Sequence, residues 1–394
     1  MRLTERMQLR KSVALSSLCH RGKNLYNAAN YAVRQRFFRE QKWLRYYDLN
    51  RLLKQDPTYR ALPIQTSQQI LRLIDRNWKS FFRAIKDWQD HPKKYCGKPR
   101  IPRYKPKKGE SIVVFTNQQC RIKDGFLHFP KKELPPLKIR MTGSFQQVRI
   151  LPRGNHYVVE IIYKCQPIHL DLAKSRILMI DLGLTNLVTA VNNAGLPPFV
   201  IKGGLVKSIN QFYNKERAHL SALKDKQGLK GQTKRLMRLT LKRNNKIRDY
   251  FHKTSRTIIG YCVDNELGTI VVGYNAGWKQ HINIGRRNNQ NFVTVPFHQL
   301  IQQIQYKAKL VGIEVILEEE GHTSKCSFLD QEPIEHHDMY MGRRINRGLF
   351  QASDGTLINA DVNGGYNIGR KAVPNAFRAD GIEGVGLHPY SIAI

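Results

Sequence analysis

Acidic residues are scarce in this chain. Only 30 Asp and Glu stand against 66 Lys and Arg over 394 residues, a net charge of +36. A protein so charged repels itself in isolation and needs a polyanion; nucleic acid is the first candidate and a membrane surface the second. Paired cysteines are missing too. Cys19, Cys96, Cys120, Cys165, Cys262 and Cys326 lie far apart, and no CxxC occurs, which excludes a disulfide framework and an intact zinc ribbon. No apolar run reaches the ~18–20 residues of a membrane-spanning helix. The N-terminal MRLTERMQLRKS has no apolar core of a secretion signal. These absences point to an intracellular protein. Apolar residues still make up 41% of the chain, enough for real cores, and the length fits two or three domains.

The pattern changes several times along the chain. Residues 1–20 read as a strand-like lead. From about 21 to 90 apolar residues recur at helical spacing (Leu25, Ala28, Ala29, Ala32; Ile70, Leu71, Ile74, Trp78, Phe81, Phe82), and Asp56-Pro57 and Leu62-Pro63 break this part into several helices. Residues 91–109, HPKKYCGKPRIPRYKPKKG, hold eight Lys/Arg, four prolines and no acid. Proline excludes a helix, so this is an extended basic strip. It reads as a phosphate-backbone contact through Lys98, Arg100, Arg103 and Lys105 with stacking on Tyr95 and Tyr104, or as a solvated linker; the charge of the chain favours the first. Residues 111–170 alternate like short strands separated by Asp124-Gly125 and Gly154-Asn155, which suggests an antiparallel barrel or sheet.

From residue 176 the order reads strand, strand, long helical stretch (208–262), strand (268–275), helix (297–310), strand (312–320), insertion (321–357) and helix (358–371): an α/β layer fold with a mixed sheet. Between 214 and 256 there are 14 Lys/Arg and three acids, a solvated hairpin or a face for nucleic acid. The loop 277–292 carries Trp278, Lys279, Arg286 and Arg287 among amides, suited to phosphate and 2′-OH contacts. Arg343, Arg344 and Arg347 precede the last helix and suit bidentate phosphate contact. Residues 372–394 read as an irregular tail.

In so basic a chain each acid at a strand end is informative. Asp181 ends an apolar strand, Glu318, Glu319 and Glu320 end another, and Asp361 starts the C-terminal helix beside Asn359 and Asn363. Carboxylates from two strand ends and a helix start suit Mg²⁺, a hard cation that takes oxygen ligands. Two such ions can activate a water and stabilise the leaving oxygen in phosphodiester hydrolysis. The plainer alternative makes Asp361 a helix cap and Asp181 a turn former.

IDLGLTN (180–186), IVVGYN (270–275), HTSKCSFLD (322–330) and RINRGLF followed by DGTLINADVNGGYNIGRK (354–371) resemble TnpB. This is the family of transposon-encoded, RNA-guided DNA nucleases related to the type V CRISPR effectors. The resemblance is strong over about 176–371 and looser over the GKPRIPRYKPKKGES strip. It implies a multidomain α+β protein. Residues 171–320 and 358–394 would form a RuvC-like nuclease domain of RNase H fold, and residues 1–20 and 91–170 a wedge β-barrel. Residues 21–90 would form an inserted helical recognition bundle, and 321–357 a degenerate zinc-ribbon-like insertion. It also implies a guide RNA and a target DNA as partners, no membrane, two Mg²⁺ ions, and a prokaryotic cytoplasm with the protein on the nucleoid when bound to DNA. Asp181 matches the family's first catalytic acid and Asp361 its third.

Two departures stand out. The usual second acid falls at Gly273, which cannot ligate a metal. Where a CxxC-G pair is usual, Ala352–Gly355 read ASDG, and only Cys326 remains of four zinc-ribbon cysteines, so no zinc is expected. Packing of Phe328, Leu329, Tyr340, Leu349 and Phe350 is expected to hold the insertion instead. Either the protein is a guided DNA binder that no longer cuts, or the acid has moved to the neighbouring strand end. Adjacent strands lie only about 4.8 Å apart, and a Glu buried beside two Asp without a cation would be repulsive, so relocation is favoured. Glu319 and Glu320 are both carried as the moved acid, with Glu320 ahead as the residue nearest the loop. The expected catalytic set is therefore Asp181, Glu320 or Glu319, and Asp361. The rival readings are a nuclease-dead guided repressor and a transposition accessory or RNA-processing protein.

Overall fold

The computed structural model describes residues 1–130, 134–275, 285, 290, 292–377 and 386–394. The chain divides into two compact units, Met1–Cys165 and Gln166–Ile394. In both, helices and strands mix.

The first unit opens with strand β1 (Arg2–Arg10). The strand-like lead ends there, because the Ser12 side chain accepts the Leu15 N–H and caps helix α1 (Val13–Glu40), eight residues earlier than the apolar spacing suggests. Helices α2 (Tyr46–Leu53), α3 (Pro57–Arg60) and α4 (Ile64–Asp90) follow. Asp56 caps α3 and Pro57 occupies its first turn, where a missing N–H costs nothing. Trp78 of α4 is fully buried; its Nε1 donates to Asn30 Oδ1 of α1 at 3.0 Å and its ring meets Phe37 and Phe82.

The strands of this unit form two open sheets. β1 pairs antiparallel with β7 (His156–Lys164), β7 with β6 (Phe145–Arg153) and β6 with β2 (Val113–Thr116). The strands β3 (Arg121–Lys123), β4 (Phe126–His128) and β5 (Leu137–Lys138) form a separate three-stranded sheet. Among the described residues no barrel closes, which corrects the barrel expectation. Strands of two or three residues offer too few ladder bonds to bridge the edges of the larger sheet.

The second unit is built on a six-stranded sheet in the order β12-β11-β8-β9-β10-β16. Its strands are β8 (Ala173–Asp181), β9 (Asn186–Asn192), β10 (Phe199–Lys202), β11 (Leu267–Gly273), β12 (Glu314–Glu318) and β16 (Tyr390–Ile392). β8, β11 and β12 run parallel, and β9 is antiparallel to β8. Alternation splits the core. Leu178 and Ile180 join the apolar residues of helices α6 (Lys234–Asp264) and α7 (Phe297–Val311), while Ile177 and Met179 join those of helix α8 (Ala360–Ala372). Covered on both faces, the parallel strands read as continuous apolar runs.

The helical stretch expected over 208–262 is two helices, α5 (Gly204–Lys226) and α6. Gly228 and Gly231 take positive φ between them and Thr233 caps the second. The tail is not wholly irregular either: β16 pairs parallel with β10 and covers an otherwise open sheet edge. The insertion contains a small antiparallel sheet, β13 (Arg343–Asn346), β14 (Leu349–Gln351) and β15 (Leu357–Asn359).

Candidate active site

Because β8, β11 and β12 are parallel, their C-terminal ends share one sheet edge, where open α/β sheets carry their sites. Asp181 is the last residue of β8 and Gly273 the last of β11, and Gly273 pairs with Glu318, the last of β12. α8 starts at the same place. Its N-cap is Asn359, whose side chain accepts the N–H groups of Asp361 and Val362 at 3.0 and 3.2 Å. Asp361 is thereby freed from the capping role. Its Oδ2 accepts from Asn186 Nδ2 at 2.9 Å and its Oδ1 lies 3.7 Å from Arg344 Nη2.

Beyond β12 the chain leaves the strand alternation. The Tyr274 N–H bonds to the Glu318 carbonyl, the Glu320 N–H to Asn275 Oδ1 (2.9 Å), and the Thr323 hydroxyl to the Glu320 carbonyl (3.0 Å). This turn aims Glu320 inward. A Cβ on Gly273 would clash with Glu320 Oε1, and would stand 2.9 Å from its Cδ and 2.7 Å from Ile368 Cδ1. Glu320 Oε1 is buried without a hydrogen-bond partner. The neighbouring acids go elsewhere: the Glu319 side chain is exposed, and Lys371 Nζ donates to the Glu319 carbonyl at 2.8 Å and lies 3.9 Å from the Glu318 carboxylate. The structure therefore brings Glu320, and not Glu319, toward Asp181.

The electrostatics follow from this crowding. Burial first, and then the charge of Asp361, push the Asp181 carboxyl up to about 7, against the opposing pull of Arg344 and the Leu182 N–H. Burial and then Asp181 push Glu320 up to about 8. Asp181 thus stands electrostatically between the other two acids. Among the described residues no three ligating side chains already meet around a common point. The donors nonetheless fit a hard divalent cation: all are carboxylates, two are pushed above the ordinary range by burial and then by a neighbouring acid, and one oxygen is orphaned.

The C-terminal block is a brace for this edge. Asn363 Nδ2 donates to the Cys326 carbonyl and its Oδ1 accepts the Phe328 N–H. Asn367 Nδ2 donates to the carbonyls of Thr323 and Cys326 at 3.0 and 2.7 Å. Tyr366 stacks on Phe328 with ring centroids 4.6 Å apart. The loop that carries Glu320 is so tied to the helix that carries Asp361. Phe328 and Phe350 are buried in the same core, whereas Tyr340 is outside it. Cys326 is buried, with Sγ 3.6 Å from the Glu335 carbonyl.

Of the cationic candidates, Arg344 faces Asp361, Arg347 Nη2 donates to Thr185 Oγ1 at 2.8 Å beside the same strand end, and Arg343 reaches Gln351. Trp278, Lys279, Arg286 and Arg287 lie outside the described residues. In the first unit the basic strip starts with a single 3-10 turn, Pro92–Lys94, where an extended chain was expected, because proline is tolerated in a first turn. Beyond it the strip is pinned along α1: Asn27 exchanges two hydrogen bonds with Lys105, Asn30 donates to the Pro102 carbonyl, and Lys23 to that of Lys107. Backbone pinning leaves the Lys98, Arg100, Arg103, Tyr104 and Lys105 side chains exposed. Cations lie over several aromatic rings: Arg34 over Tyr104 (4.8 Å), Lys98 over Trp88 (5.6 Å) and Lys105 over Tyr26 (5.2 Å). The Tyr95 hydroxyl donates to Asp87 and holds that ring in place.

Sequence reasoning missed Asn186, Asn275, Thr323 and Lys371. All four lie inside the quoted motifs, but only as polar residues at the ends of strands or helices, with no role read for them.

Several known proteins are similar to this chain. Residues 161–279, which include Asp181, match the family described as "Probable transposase" (OrfB_IS605). Residues 297–368, which include Glu320 and Asp361, match the "Cas12f1-like, TNB domain". The TnpB-like protein ORF457 of Acidianus two-tailed virus is 22% identical over 400 residues, covering 89% of this chain and 81% of that protein. The chain is thus similar to TnpB and Cas12f proteins. It is also 28% identical over 250 residues to the CRISPR-associated endodeoxyribonuclease Cas12f1 of Sulfoacidibacillus thermotolerans, a match over 60% of this chain and 55% of that one. Among solved structures, a Cas12f1–sgRNA–target DNA complex superposes with TM-score 0.54 at 14% identity, over 90% of this chain and 81% of the other. The mini-RNA-guided endonuclease Cas_phi3 superposes with TM-score 0.50 at 10% identity, over 95% and 92%. These likenesses speak for the fold. No helix among the described residues is long and apolar enough to cross a membrane.

Proposed function

We propose that this protein is an RNA-guided, Mg²⁺-dependent DNA endonuclease that cuts target DNA beside a short motif read by the protein. In this reading the second unit is a RuvC-like domain of RNase H type, the first unit holds the wedge and recognition regions, and 321–357 is an insertion without zinc. One observation carries the reading: the Glu320 carboxylate lies where a side chain on Gly273 would stand, next to Asp181, with an oxygen that no hydrogen bond satisfies. A protein with no use for a cation has no reason to retain that arrangement, because an unpaired buried carboxylate costs several kcal/mol.

Asp181, Glu320 and Asp361 would hold two Mg²⁺ ions. Bound there, such ions supply Lewis-acid chemistry for phosphodiester hydrolysis, raising the acidity of a water and countering charge on the leaving oxygen. The chain's own residues set the geometry. Asn186 orients Asp361, Asn275 and Thr323 fix the backbone of Glu320, and Arg344 and Arg347 offer planar cations to the phosphates of the strand to be cut. Guide RNA would carry sequence choice by base pairing. The strip 98–105 and the paired cations and rings of the first unit suit backbone contact and base stacking.

Purification of the full chain from cells expressing its native locus, followed by sequencing of bound RNA, tests the reading. The expected result is one RNA with a constant scaffold and a variable end, and Mg²⁺-dependent cutting of duplex DNA that matches that end. Bound RNA that directs no choice of target would favour an RNA-processing role. Guided binding without cutting would favour a repressor.

A further inference from the structure

We propose that Lys307 is a carbon dioxide site: its amine, held in the seam between α6 and α7, adds CO₂ reversibly and becomes a carbamate.

This lysine has hydrogen-bond partners but no counter-ion. It is half-buried, and its Nζ donates to the His252 carbonyl at 2.6 Å and to Ser255 Oγ at 2.7 Å. Both acceptors are uncharged. Its own helix, α7, carries no acid. On the facing stretch of α6, Asp249 lies 3.2 Å from Lys253, and Glu314 of β12, which also packs on α7, lies 3.8 Å from Lys174. The charge that does act on Lys307 is a like one, Arg256, one turn beyond His252 along α6. Burial first, and then Arg256, push the Lys307 ammonium down to about 8. His252 meets the same crowding: burial, then Lys307 and Arg248, hold its imidazole below the ordinary value against the opposing pull of Asp249. A cation drawn out of water without an anion is better off as the neutral amine. At about pH 7.5 roughly a quarter of such a group is uncharged, against about one in a thousand for an ordinary lysine.

The neutral amine is the nucleophile. Its lone pair forms an N–C bond to CO₂, one C=O π pair moves onto oxygen, and the amine proton leaves to water. Lysine–NH₂ and CO₂ thus give lysine–NH–COO⁻ and H⁺. The reagent is small and uncharged, which suits a half-buried amine. The N–H that remains keeps one of the two present acceptors. The new carboxylate supplies the anion that this cluster lacks, and the Arg256 guanidinium is the cation suited to receive it. The site is also distinct from the acids at the sheet edge. β11 and β12 run parallel, so α7 carries the chain back to the edge opposite Asp181, and Lys307 lies late in that return. The inference therefore does not depend on the nuclease reading.

Trapping on the full chain tests it. The protein is held near neutral pH in ¹³C-bicarbonate, treated with triethyloxonium ion, which ethylates a carbamate and fixes it, and digested for mass spectrometry. The expected result is a ¹³C-labelled ethyl carbamate on Lys307, at an occupancy roughly tenfold or more above that on Lys253, the neighbouring lysine that has Asp249 as counter-ion. Arg256→Gln removes both the repulsion that favours the neutral amine and the cation that receives the carbamate, so occupancy at Lys307 should fall about threefold or more, with Lys253 unchanged. Label on Lys307 no greater than on Lys253 in the parent protein would overturn the site. Undiminished label on Lys307 in Arg256→Gln would overturn the cationic cluster as its cause.

Discussion

Alanine at Asp181, Glu320 or Asp361 is expected to reduce guided cleavage of matched DNA by about 10³-fold while leaving guided binding nearly unchanged. Lewis-acid stabilisation of the transition state supplies several kcal/mol, and about 4 kcal/mol of lost stabilisation corresponds to three orders of magnitude in rate. Losing any one donor should cost most of it, because the three acids act as a unit and their effects will not add. Glu320→Gln sharpens the result. Glutamine keeps the volume beside Gly273 and Ile368, and removes only the charge that burial and Asp181 hold protonated in the metal-free protein. Glu319→Gln provides the contrast: its side chain is exposed and its carbonyl, which Lys371 uses, is unchanged, so cleavage should stay within about threefold, the scale of a surface change well under 1 kcal/mol. Single-turnover cleavage with saturating guide and Mg²⁺ measures all five variants, alongside a gel-shift for binding. Full activity in Glu320→Gln with loss in Glu319→Gln would move the site to the wrong residue.

The second large effect is on stability. In the metal-free fold Asp181 keeps its proton up to about 7 and Glu320 up to about 8, whereas the ordinary values are 3.8 and 4.5. Between those limits the folded chain binds more protons than the unfolded one. Stability must then fall as pH rises, being fully present below the ordinary carboxylate range and lost through pH 7–8. One pKa unit is worth about 1.4 kcal/mol; burial is the larger cause for both groups and their titrations are coupled, so the pH-dependent loss is on the order of a few kcal/mol. Melting curves in EDTA are expected to drop in midpoint between pH 5 and 8. Millimolar Mg²⁺ should restore the midpoint at pH 8, since a cation replaces the protons as the counter-charge. Glu320→Gln should flatten the EDTA slope, melt above the parent at pH 8 and lose the response to Mg²⁺. A parent midpoint that does not fall from pH 5 to 8 would contradict the burial of these charges.

How far the site could be read in advance differs from residue to residue. Asp181 was legible because an apolar run fully covered on both faces ends in a carboxylate, which no core strand tolerates without a reason. The helix at 297–311 and its Pro296 were legible for the same local reasons. The choice between Glu319 and Glu320 was not. It depends on where strand alternation stops, and that is decided by bonds from Asn275 and Thr323, side chains that no periodicity marks. Asn359 offers another case: it and Asp361 are equally good caps by composition, and only the geometry gives the cap to Asn359 and leaves Asp361 to face Asn186. The barrel failed for a different reason. Short alternating strands specify sheet but not closure, and closure depends on edge pairing between distant segments. Tyr95 and Tyr104 look alike in the basic strip, yet their settings differ: the Tyr95 hydroxyl is bonded to Asp87, while the exposed Tyr104 ring carries the Arg34 guanidinium.

The central claim is that carboxylates from β8, from the turn after β12 and from the start of α8 gather around divalent cations despite the glycine at the end of β11. Anomalous X-ray scattering from crystals of the chain grown with Mn²⁺ addresses it most directly. The account expects a manganese peak ligated by Asp181 with Glu320, and Asp361 completing the set. A manganese ion held by Asp181 and Asp361 with Glu320 turned away, or a well-ordered sheet edge with no peak at all, would contradict it.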